Sequence, residues 1–79
     1  MDNQQELWRQ VGTIKRSVNQ AIGSELSYEF RSESLFQAYT GLCGEAFMAH
    51  QEGALDAETV ALLQQYADKV IALGHVAPV

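Results

Sequence analysis

Cysteine occurs once in the 79 residues, as Cys43, and basic residues occur only five times against ten acidic ones. A lone thiol excludes an intramolecular disulfide, and no closely spaced Cys/His set suggests zinc. A reducing compartment is the natural setting. The chain also lacks any apolar run long enough to cross a bilayer. Its first residues, Met1-Asp2-Asn3-Gln4-Gln5-Glu6, are acidic and amide-rich, without a basic segment leading into an apolar one. The expectation is a soluble, cytoplasmic protein with no membrane contact. No glycine-rich loop joins a strand to a helix, so nothing resembles a phosphate cradle. Repeats, low-complexity tracts and linkers are missing too, which leaves residues 1–79 as a single small helical domain.

The shortage of positive charge is uneven. Residues 1–31 set Asp2, Glu6, Glu25 and Glu29 against Arg9, Lys15, Arg16 and Arg31, whereas residues 32–79 hold six acids and only Lys69. Nucleic acid is an unlikely partner for such a chain, because phosphate binding rests on clustered Lys and Arg. What is present is apolar: 47% of residues, including three Tyr, three Phe and one Trp. A chain of this composition folds. At this length one core is marginal, and association with a second copy often supplies the missing burial.

The pattern predicts a mainly α protein of three helices, about 4–22, 35–51 and 57–73, with frayed ends at 1–3 and 75–79. In the first, Leu7, Val11, Ile14, Val18 and Ala21 recur at spacings of four and three, a narrow heptad seam with Trp8 beside it. The seam suits one docking surface, either on a partner or on the chain's own remaining helices. Gly12 within it costs about 1 kcal/mol against Ala, so packing must hold the segment. Gly23-Ser24 marks its end. Ser34 and Gln37 form a capping-box pattern that opens the second helix. There Leu35, Phe36, Tyr39, Leu42, Cys43, Ala46, Phe47 and His50 cover nearly half the circumference, a face wide enough to be buried on two sides. Gly53 ends this helix, and Asp56 is placed to cap the third. The third carries Val60, Leu63, Tyr66, Ala67, Val70 and Ile71 on its inner face, with Leu62 and Leu73 at the margin, and Gly74 is its expected stop. The short connection Gln51–Leu55 predicts an αα-hairpin.

Between the first two helices, Leu26-Ser27-Tyr28-Glu29-Phe30-Arg31 alternate apolar and polar, the period of a half-buried strand. No second segment of this kind exists in the chain, and an unpaired strand edge seeks another chain. The segment therefore predicts a homodimer. Strand, helix, short turn and helix over residues 25–73 is also the order of elements in the ribbon-helix-helix DNA-binding family, which this stretch resembles. The resemblance implies a dimer that sets one strand from each chain in the major groove. With Leu26, Tyr28 and Phe30 turned inward, the groove would meet Ser27, Glu29 and Arg31. Only Arg31 is a strong reader, and Glu29 would face phosphate.

Catalytic chemistry finds no constellation. Cys43 and His50 share an apolar face, but seven residues of helix separate them by roughly 10 Å, beyond the reach of a thiolate–imidazole pair. His75 is remote from both, and no carboxylate stands three or four residues from either histidine. The expectation is no enzyme, no metal and no cofactor. The chain reads as a small protein–protein interaction module, an adaptor, regulator or inhibitor that acts by steric occlusion or by stabilising a partner, a mode of action known for small acidic phage and plasmid proteins. The partner's identity is not encoded legibly. Leu7, Trp8, Val11, Ile14, Val18, Tyr28, Phe30 and Arg31 are the candidate interface residues. The alternative is a dimeric ribbon-helix-helix-like transcriptional regulator or antitoxin.

Overall fold

Four helical segments follow one another: α1 (Asn3–Ile22), the single turn α2 (Tyr28–Arg31), α3 (Ser34–Gln51) and α4 (Ala57–Val76). They come from a computed structural model, which describes residues 3–22, 28–31 and 33–76. The mainly α class and the three long helices stand as the periodicity predicts. α4 packs against both α1 and α3, and α1 and α3 meet each other over a smaller area.

The core forms where the three inner stripes converge. α1 contributes Leu7, Val11, Ile14 and Val18, α4 contributes Val60, Leu63, Ala67 and Val70, and α3 gives only Tyr39 and Ala46. Leu55, from the connection between α3 and α4, closes one end. It is clamped there by Gln4, whose Nε2 donates to the Leu55 carbonyl (2.6 Å) while its Oε1 accepts the Leu55 N–H (3.0 Å). One side-chain amide thus satisfies both backbone groups of a buried loop residue, which would otherwise be costly to enclose.

The α3 terminus follows from local chemistry. Gly53 has φ +71, the left-handed conformation glycine adopts freely. Its N–H reaches the His50 carbonyl at 3.0 Å and the Ala54 N–H reaches the Ala49 carbonyl at 2.7 Å, the two bonds of a Schellman motif. Asp56 then caps α4, its Oδ1 accepting the Thr59 N–H at 2.8 Å. Hydrogen bonding by the Thr59 side chain, and then by its N–H, holds the Asp56 carboxyl below its ordinary pKa.

Four expectations are corrected. Residues 28–31 are a helical turn, not a strand, and no strand occurs among the described residues; Leu26 and Ser27 lie outside them. A lone strand within the chain has no ladder partner. A helical turn satisfies its backbone locally, and it runs on into α3 through the bond from the Glu33 N–H to the Phe30 carbonyl (3.1 Å). The capping box is not formed. Ser34 is already inside α3, and Glu33 precedes it with no side-chain cap, since the Gln37 N–H goes to the Glu33 carbonyl at 3.0 Å. The helix bounds also shift, with Asn3 in α1 and both His75 and Val76 in α4.

Gly74, finally, does not stop α4. It lies inside the helix because the chain needs a small residue there. A Cβ at this position would collide with Ile22 Cγ2 and stand 3.3 Å from Ile22 Cβ and 3.7 Å from Phe30 Cε2. Glycine lets the ends of α1 and α4 and the α2 turn converge. At Gly12, by contrast, a Cβ meets only Arg16 Nη1 at 3.8 Å. Thermal melts should therefore separate the two sites in sign. Gly12→Ala should stabilise by up to about 1 kcal/mol through helix propensity. Gly74→Ala should destabilise by about 1–3 kcal/mol, because overpacking outweighs the same propensity gain.

Candidate functional site

The heptad seam is enclosed by the chain itself. Leu7, Val11, Ile14 and Val18 all belong to the core cluster, where they face α4 and α3, so Leu7, Val11 and Val18 are closed to a partner in this fold, and Ile14 shows only an edge, in the groove between α1 and α4. Of the other candidate residues, Phe30 is half-buried and meets Phe36 edge-on at 5.5 Å between ring centres. Arg31 is exposed. Tyr28 lies in the α2 turn, and its side chain is outside the described part of the structure.

Trp8, on the flank of the seam, is half-buried and packs against the core. Its ring stacks on His50, with centres 4.6 Å apart and planes at 4°, and it stands 6.0 Å from Phe47 in a tilted pair. Burial of aromatic area explains this trio, through which α1 and α3 meet. His50 Nδ1 is enclosed, with no hydrogen-bond partner among the described residues.

The trio borders the least expected surface of the molecule. The inner face of α3 was expected to be covered on two sides, but Phe47 is 48% exposed and Met48, one position further round, is 57% exposed. On the same outer side lie Gly41 and Gly44, where an added Cβ would find nothing within 4 Å. Glu45 is the only Asp, Glu, Lys or Arg in the eighteen residues of α3. In the sequence Gly41 and Gly44 stand away from the centre of the apolar stripe, on the flank towards Met48, a placement that fits either the close approach of another backbone or a loosened helix.

Cys43 is half-buried beside Tyr39, and burial raises the pKa of both groups above the ordinary value. The thiol is therefore a poor nucleophile at neutral pH. Alkylation by iodoacetamide should proceed more slowly in the native protein than in denaturant. Equal rates would place the thiol at the surface. No group of three or more His, Cys, Asp or Glu among the described residues could hold a metal ion, and no described helix is long and apolar enough to cross a membrane.

No protein-family model matches the chain, and neither does any curated protein or solved structure.

Proposed function

We propose that this chain is a small, non-enzymatic protein-interaction module, an adaptor, regulator or inhibitor that occludes or stabilises a larger protein, and that the outer face of α3 is its contact surface. One observation carries the reading: α3 is nearly free of charge all round, yet it buries only Tyr39 and Ala46 in the core. Low charge with Phe47 and Met48 about half in solvent is unusual for a face meant to stay in water, where charged and polar residues normally dominate. With that face left open, its cover is another protein. The two glycines support this, because each costs the helix about 1 kcal/mol against Ala in open space and gains nothing inside the chain. What such a gap offers is close approach for a second backbone.

Two finer elements belong to the same proposal. The five-residue connection and the packing of α4 on α3 support an antiparallel αα-hairpin as the scaffold. The open α3 face and the short chain support self-association, in its simplest form a homodimer. A ribbon-helix-helix regulator needs a paired strand where residues 28–31 are helical, and no observation favours it.

Affinity capture from the native cell, run in parallel with the intact chain and with a Phe47→Ser, Met48→Ser double variant, tests the proposal. Both side chains are about half in solvent, so the variant should keep the helical spectrum of the parent. A partner should be retained by the parent and lost from the variant. Identical captured proteins from both would exclude this face.

A further inference from the structure

The groove between α1 and the first half of α4 reverses the charge of the molecule. Two of the five basic residues, Arg9 and Arg16, line it against a single acid, Glu6, in a chain whose net charge is −5. Its volume is about 570 Å³, within the range of sites that hold ligands. Ile14 and Val60 form an apolar floor, and Ala57 and Ala61 keep one wall low.

The guanidiniums are placed for an incoming carboxylate. Arg16 Nη2 donates to Thr13 Oγ1 at 3.3 Å, and that hydroxyl in turn donates to the Arg9 carbonyl at 3.2 Å, so Arg16 is braced along the groove. No carboxylate among the described residues pairs with it. Arg9 pairs with Glu6 within α1, but both side chains are half or more in solvent, and such a pair is weak enough to be exchanged. The two arginines stand seven residues apart on one face, roughly 10 Å along the axis.

The complementary pattern is on α3 and the C-cap residue that follows it. Glu45 and Glu52 are also seven residues apart, on the outer face, and both are exposed. Exposed Met48 lies between them, and Gly41 and Gly44 lie alongside, where there is room for another helix. We infer that the α1–α4 groove of one copy receives the outer face of α3 from a second copy, Glu45 and Glu52 meeting Arg9 and Arg16 while Met48 seats on the Ile14–Val60 floor. Either direction of approach pairs both charges. The inference rests on the reading of α3 as an interface and names the occupant. Because donor and acceptor surfaces differ, two copies close into a homodimer only by making both contacts reciprocally; otherwise the contact builds a larger ring or an open chain of copies.

Analytical ultracentrifugation of the intact chain at micromolar to submillimolar concentration and low salt tests this. The mass should rise above that of the monomer with concentration and fall back as salt screens the exposed pairs. Arg9→Glu with Arg16→Glu should weaken association on the order of tenfold to a hundredfold. Glu45→Arg with Glu52→Arg should do the same. All four changes in one chain restore opposite charges across the contact, and association should return. All eight side chains involved, native and replaced, are at the surface, so circular dichroism should show each variant folded.

A chain that stays monomeric throughout overturns the inference, as does a groove variant that associates like the parent. If the groove variant associates normally but Met48→Glu does not, the inference fails while α3 stands as an interface. If neither change matters to a chain that does associate, both readings fail together.

Discussion

Val11→Asp should unfold the chain outright, as a loss of the helical far-ultraviolet spectrum at 25 °C and micromolar concentration. Val11 is 1% exposed at the junction of α1 with α4, and no basic side chain is part of the core cluster around it. The replacement gives up the burial of a valine, about 1.5–3 kcal/mol. It also forces a carboxylate either to sit unpaired in an apolar interior, at several kcal/mol after relaxation, or to take up a proton. For 79 residues the whole folding free energy is about 4–12 kcal/mol, so the change removes all or most of it.

The same substitution distinguishes two roles for the seam. If Leu7, Val11, Ile14 and Val18 served only to join chains, an aspartate would leave a folded protein of lower mass. Gln10→Asp, one position away and exposed, should leave the melt within about 0.5 kcal/mol of the parent. A folded, monomeric Val11→Asp chain would move the seam from core to interface.

That ambiguity shows where the sequence could be read and where it could not. The spacing of Leu7, Val11, Ile14 and Val18 states that one face of α1 is covered, and all four are buried. It does not state by what, because a heptad seam packs equally well on its own chain or on another. The end of α3 was legible for a stronger reason: only a left-handed residue makes the Schellman bonds, and Gly53 supplies it. Gly74 looked the same in the sequence but acts through its lack of a side chain, and only the positions of Ile22 and Phe30 reveal that.

The alternation over residues 26–31 was too short to fix a period. An inward Phe30 beside an outward Arg31 fits a strand and a helical turn equally well, and the backbone's own hydrogen bonds decided for the turn. The α3 face left two readings open, close approach or a loosened helix. Hydrophobic patterning reports what a chain covers, whereas Gly41 and Gly44 mark space that the chain leaves empty. Charge spacing was legible only in part. Arg9 and Arg16 share a face in the sequence alone, but the groove beside them exists only once Ala57 and Ala61 of α4 are set against α1.

Leu63→Ala should have the second largest effect and should lower the melting temperature without abolishing the fold at low temperature. Leu63 is fully buried, at 0% exposure, on the helix that touches both other long helices, so the lost side chain leaves a cavity that three elements would have to close. Leucine-to-alanine changes at such sites cost about 2–5 kcal/mol, the upper part applying where the surroundings cannot collapse. Val11, Val18 and Val70 are buried in the same cluster, and β-branched side chains on helices have little rotamer freedom with which to fill a void. A loss of about 3–5 kcal/mol is expected, which for a domain of this size corresponds to roughly 15–30 °C in melting temperature. Leu62, its neighbour in sequence, is 41% exposed on the opposite side of the stripe. Leu62→Ala in a monomeric sample should cost no more than about 0.5 kcal/mol. Equal losses at the two positions would mean that α4 is rotated from the orientation described, and the groove that α4 forms with α1 would be lost with it.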